Sequence, residues 1–141
     1  MVVNEYFCQC LYFTANRLAR IMNKMAEEEF APLGLSPTYA FLLMAVKDKP
    51  GITQKELSEI LHIAPSTSTR FVEKLEMKGL VQRKNEGKLT LIYPTEKGLA
   101  IQGEIKKCWK NLYNRYSEVL GEERGVKLTS EIDLACNELE K

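Results

Sequence analysis

The stretch that most constrains this chain runs from Thr53 to Tyr93, where the apolar period changes from that of helices to that of strands. Thr53-Gln54-Lys55-Glu56 is a capping-box pattern, in which a hydroxyl accepts from an amide three residues on and a carboxylate reaches back. It predicts a short helix with Leu57, Ile60 and Leu61 turned inward. His62-Ile63-Ala64 breaks that helix, and Pro65 opens another that runs to Lys78, with Phe71, Val72 and Leu75 facing in and Gly79 as its C-terminal cap. Then Leu89, Leu91 and Tyr93 alternate with Thr90 and Ile92, the pattern of a strand. Val81–Lys84 is its expected antiparallel partner, joined through the turn residues 85–88. Two short helices across a tight turn, followed at once by a hairpin, make a winged helix-turn-helix.

The flanks read as long helices. Over residues 5–30, Phe7, Leu11, Thr14, Leu18, Ile21 and Met25 fall on one helical face, with Cys8, Tyr12, Ala15, Ala19 and Met22 as a second stripe. Pro32 and Gly34 end this segment. Ser36-Pro37 restarts a nearly all-apolar helix that Lys49-Pro50-Gly51 stops. After the hairpin, Thr95 caps a helix over 96–120 carrying Ile101, Ile105, Cys108, Leu112, Tyr116 and Val119, with Trp109 alongside. Gly121 and Gly125 bracket a turn before a last helix over 127–140. The expected fold is mostly α with a small β-hairpin wing and six helices. It divides into N-terminal helices (1–52), the winged unit (53–98) and C-terminal helices (99–141), all within one compact domain.

The function lies in what the winged unit exposes. A helix fits a major groove, and the start of the second helix of such a unit is what enters it. Here that start reads Pro65-Ser66-Thr67-Ser68-Thr69-Arg70. Hydroxyls in a row are poor helix formers, so propensity does not account for them. They bond phosphate oxygens or base edges, and Arg70 can bond guanine bidentately. The DNA-binding set expected from the sequence is Thr53, Gln54, Lys55, Pro65, Ser66, Thr67, Ser68, Thr69, Arg70, Lys74, Arg83, Lys84 and Lys88.

Residues 53–98 closely resemble the winged helix of MarR-type transcriptional regulators, most specifically in S-T-x-T-R at 66–70, K-L-E-x-K-G-L-V at 74–81 and T-x-x-G at 95–98. The flanking long helices fit that pattern, so the resemblance covers almost the whole chain. It implies an intertwined homodimer, a palindromic double-stranded DNA operator, and repression lifted by a small ligand or an oxidant. The aromatic set Tyr12, Phe13, Trp109, Tyr113 and Tyr116 fits either core and dimer packing or a pocket for a small apolar or phenolic effector between the long helices and the winged unit. The wing departs from the family's Asp-x-Arg: Glu86-Gly87-Lys88 stands there, and Lys is more strongly hydrated and suits a narrow minor groove less well. Ala64 replaces a commoner Asp or Ser cap.

The overall balance of 20 basic to 19 acidic residues suggests no nucleic-acid partner until it is divided. The winged unit holds eight basic and six acidic side chains, with Arg83, Lys84 and Lys88 against Glu86 on the expected wing. Such a protein would rely on a few placed groups rather than a broad basic field.

Two other readings remain. Organic-hydroperoxide sensors within the resembled family carry a reactive Cys near the N-terminus in a Cys-x-x-x-Tyr arrangement similar to Cys8 and Tyr12, whereas Met22 and Ser36 occupy the positions of those sensors' partner tyrosines. A winged helix that binds protein instead of DNA is the other. No Ser/His/Asp set, glycine-rich phosphate loop or paired carboxylates argue for an enzyme, and one His with scattered Cys argues against a metal site, so no cofactor is expected. No apolar run spans a bilayer and no secretory leader is visible, so the expected location is cytoplasmic.

Overall fold

A computed structural model describes residues 3–141. The element order is α1 (Val3–Cys8), α2 (Leu11–Phe30), a 3-10 turn (Ala31–Leu33), α3 (Pro37–Asp48), β1 (Ile52–Thr53), α4 (Gln54–Leu61), α5 (Pro65–Met77), β2 (Val81–Glu86), β3 (Leu89–Pro94), α6 (Glu96–Ala100), α7 (Gln102–Leu120) and α8 (Glu122–Leu139). The helix-turn-helix is α4–α5 and the wing is β2–β3, as expected.

Helix breaks differ from the expectation where no Pro or Gly announces them. The first long helix is interrupted at Gln9 and Cys10, whose amides bond Tyr6 and Phe7 carbonyls in tight three-residue turns while Cys10 takes an extended conformation. The helix over 96–120 is interrupted at Ile101. There the buried Gln102 side chain donates to the Leu43 carbonyl at 3.1 Å and the Gly98 carbonyl at 3.2 Å, tying the junction to α3. The last helix starts at Glu122 rather than 127. Gly121 alone makes the turn, at φ 88°, and Gly125 is a buried helical residue beside the Tyr116 ring.

The sheet has three antiparallel strands in the order β1-β3-β2. β1 pairs Ile52 with Ile92, and β2 runs along β3 from Val81 opposite Pro94 to Glu86 opposite Leu89. Strand β1 has only two residues, too short for any period to reveal. Ile52, Leu57, Val72, Leu75, Val81 and Ile92 are almost completely buried and join Leu42, Leu43 and Val46 of α3 and Ile105 of α7 in one core. This core holds the winged unit against the long helices. Ile60, expected to face in, is 57% exposed, and Phe41 on the nearly all-apolar α3 is 47% exposed.

Candidate nucleic-acid interface

The start of α4 is built as its sequence dictates. The Thr53 hydroxyl accepts from the Glu56 amide at 3.1 Å and donates to Glu56 Oε1 at 3.0 Å. Glu56 also pairs with Lys49. The Lys49 ammonium, then the Thr53 hydroxyl, hold the Glu56 carboxyl below the usual carboxylate range. His62 ends α4 in the left-handed conformation, at φ 54° and ψ 44°, its amide donating back to Ser58 and Glu59 carbonyls. That residue sets the angle between the two helices of the motif.

The expected hydroxyl row divides along α5. Ser66 is exposed and Thr67 half-buried. Ser68 is fully buried, and its hydroxyl finds no partner among the described residues. Its place among the DNA contacts is therefore corrected: at helical spacing four consecutive side chains cannot share one face, and Ser68 falls beside Val72 on the core side. Thr69 is half-buried, donates to the Pro65 carbonyl at 2.9 Å and accepts from the Gln54 side-chain amide. Gln54 and Thr69 thus brace α4 against α5, and Thr53 is occupied as a cap. Pro65, Ser66, Arg70 and Lys74 on α5 and Lys55 on α4 stay exposed.

On the wing, Lys84 and Lys88 are exposed, but Arg83 is engaged. Its Nη2 lies 2.9 Å from Glu76 Oε1, its Nε donates to the same oxygen at 3.0 Å, and its backbone amide donates to Glu76 Oε2 at 3.1 Å. Glu73 adds a longer contact at 3.7 Å. Arg83 therefore differs from the expected free cation. Its hydrogen bond, opposed in part by desolvation, keeps the Glu76 carboxyl below the usual range. Glu76 is not among the site residues expected from the sequence. Its signal was spacing: Glu73 and Glu76, three apart on α5, share the flank that the chain returns to at Arg83.

The T-x-x-G match has a physical origin. The Thr95 hydroxyl accepts from the Gly98 amide at 3.0 Å and donates to the Gly79 carbonyl at 2.6 Å, joining the start of α6 to the end of α5. The Lys97 ammonium donates to the Lys78 carbonyl at 2.9 Å across the same junction.

Cys8 and Tyr12 are both exposed. The break at Gln9–Cys10 puts them on separate helices, so the shared face expected of them is absent. Cys108 is buried, as expected, and burial, then Glu29 and Glu104, push its thiol up. Among the described residues, no group of three or more His, Cys, Asp or Glu is placed to hold a metal ion, and no single helix is long and apolar enough to cross a membrane.

A solvent-open groove of about 740 Å³ lies between α3, α4 and α7. Phe41, Met44, Ile60 and Leu61 supply its apolar lining, and Gln102, Lys47, Asp48 and Lys106 its polar edge. Phe41 stacks on Trp109 with ring centres 4.0 Å apart, and Trp109 meets Phe30 edge-on at 4.5 Å.

Comparison with known proteins fits this geometry. A family model described as the MarR family matches residues 35–86. The Bacillus subtilis protein YybA, described as an uncharacterized HTH-type transcriptional regulator, is 32% identical over 93 residues, 64% of this chain and 62% of its own length. The chain thus spans about three fifths of the length of that curated relative. Among solved structures, the transcriptional repressor CouR bound to a 23-mer DNA duplex superposes with a TM-score of 0.85 at 22% identity, covering 92% of this chain and 94% of that one. CouR bound to p-coumaroyl-CoA superposes with a TM-score of 0.87, also at 22% identity, covering 96% and 98%. At that identity the likeness shows the fold: a winged helix-turn-helix between long helices. The family match runs from the start of α3 through the helix-turn-helix to the first wing strand, so this part of the chain is similar to MarR family proteins.

Proposed function

We propose that this protein is a homodimeric, DNA-binding transcriptional regulator that reads its operator through the exposed face of α5. The observation that carries this is the exposure of Ser66, Arg70 and Lys74 along one side of α5, none of them tied into an ion pair or side-chain hydrogen bond among the described residues. A helix that leaves such groups free beside a wing bearing exposed Lys84 and Lys88 has the chemistry of groove readout flanked by phosphate contacts.

A second copy is the natural cover for the long helices. Leu11 and Tyr12 on α2 are 71% and 80% exposed, Val119 at the end of α7 is 81% exposed, and Leu128, Ile132, Leu134 and Leu139 face solvent along α8. An unpartnered apolar surface of this extent marks an interface. A pair of α5 helices related by two-fold symmetry would read a palindromic site.

The groove at Phe41 has the lining of a site for a small aromatic effector: apolar walls with Lys47, Asp48 and Lys106 at the edge. CouR, with the same fold, binds p-coumaroyl-CoA. Occupation of a groove between α4 and α7 would shift α4–α5 relative to the long helices, and so release DNA.

The test is retention of genomic fragments by the full chain at low salt, with sedimentation to give the oligomeric state. Enrichment of a palindromic fragment by a dimer supports the reading. Failure to retain any fragment would favour a winged helix that binds protein instead.

A further inference from the structure

Resting on the DNA-binding reading above, we propose that Arg83 acts as a positioning residue, clasping the wing to α5 through Glu76 and cancelling the acidic flank of that helix, rather than as a phosphate contact. The charges on α5 fall on two sides. Arg70, Lys74 and Lys78 recur every four residues, forming one cationic stripe. Glu73 and Glu76 lie on the flank toward the wing, where both reach Arg83. Left bare, those two carboxylates would stand beside the helix face offered to a polyanion.

The wing needs the clasp. Strand β2 is an edge strand, and of its six residues only Val81 is buried. Beyond that root, the chain from Gln82 to Glu86 is exposed, and Arg83 is its tie to α5. The Glu76 carboxylate takes both the guanidinium and the backbone amide of Arg83, so it fixes the strand itself and not only a flexible side chain. It also blunts an otherwise open sheet edge. Half-exposed ion pairs add little to global stability, so the effect of the clasp falls on wing orientation. If the wing holds its binding pose a tenth as often without the clasp, apparent affinity falls about tenfold.

The two substitutions separate geometry from charge. Removing Glu76 deletes a negative charge near DNA, which by charge alone tightens binding. The clasp requires the opposite sign. The probe is a duplex selected by the wild-type protein from a randomised pool, with Kd measured against salt. Arg83→Ala and Glu76→Ala should each weaken binding about tenfold, the double variant should be no worse than either, and the salt slopes should match wild type. Lys84→Ala, removing one phosphate contact from each subunit of a dimer, should lower the slope by about 1.8. Independently of DNA, hydrogen exchange at the Arg83 amide should be slow in the wild type and fast in Glu76→Ala, with thermal midpoints nearly unchanged. Glu76→Ala binding as tightly as wild type, or Arg83→Ala losing slope like Lys84→Ala, would overturn the clasp. Slow exchange at Arg83 with no duplex retained even by the wild type would overturn the DNA-binding reading, and the wing-positioning role with it.

Discussion

Gly98 sits so close under the Leu80 carbonyl that a Cβ on it would lie 2.2 Å from that oxygen. The Leu80 carbonyl also accepts from the Thr95 amide, and Thr95 is pinned to Gly79, so neither side can retreat. Gly98→Ala should therefore cost about 3 kcal/mol, the upper end of overpacking penalties. A thermal melt at fixed protein concentration should show a drop of roughly 10 °C. A midpoint within about 2 °C of wild type would mean that the α5–wing–α6 junction is looser than this contact implies.

Ser68 and Ser66 should behave oppositely although they stand two residues apart. The buried Ser68 hydroxyl lacks a partner, so Ser68→Ala should stabilise the fold by up to about 1 kcal/mol and leave DNA affinity alone. Ser66→Ala should leave stability unchanged and weaken binding. Paired melts and binding titrations check this, and a loss of affinity in Ser68→Ala would reassign the inward residue of the helix.

His62 bears a left-handed backbone that β-branched residues tolerate badly. His62→Val should destabilise by about 1–2 kcal/mol, while His62→Gly should be close to neutral. Chemical denaturation of the two variants distinguishes a backbone role from a side-chain one; equal losses would point to the imidazole.

Glu56 and Glu76 should add only a small part to the acid response, because their ion pairs are exposed to solvent. Lys49 with Thr53, and Arg83, favour their charged forms, so both carboxyls titrate below their unfolded values. The stability they add is complete above the unfolded carboxylate pKa and is lost as pH falls through the lower folded one. Thermal midpoints measured from about pH 6 to about pH 3 should fall less steeply in Glu56→Gln/Glu76→Ala than in the wild type. Parallel curves would remove these pairs from the acid response.

Oxidation provides a further check. Cys8 and Tyr12 lie on separate helices, so Tyr12 does not support the thiol from the next turn of one helix. DNA release by organic hydroperoxide should be the same for wild type and Cys8→Ser. Release confined to the wild type would reinstate Cys8 as a sensor.

Much of the winged unit was legible because its signals are local. The Thr53–Glu56 box, Pro65, Gly79 and the alternation over 89–93 each act within a few residues. What escaped depended on distant partners. The helix break at Ile101 accompanies Gln102 bonding back to Leu43, 59 positions away. Strand β1 exists because Ile52 finds Ile92. The site departs from the sequence expectation for the same reason. Arg83, read as a free wing cation, is claimed by Glu76, and Ser68, read by composition, is turned inward by helical phase. Charge counts list groups; only the fold shows which of them remain free.

If the exposed face of α5 reads DNA, Arg70 is the side chain whose loss is felt first. Arg70 is exposed at the start of that helix and holds no ion pair among the described residues. Affinity of wild type and Arg70→Ala for a duplex selected by the wild type should differ by about 1–3 kcal/mol, with the melting and sedimentation behaviour of the wild type retained. Unchanged affinity in Arg70→Ala would mean that this face of α5 does not read DNA.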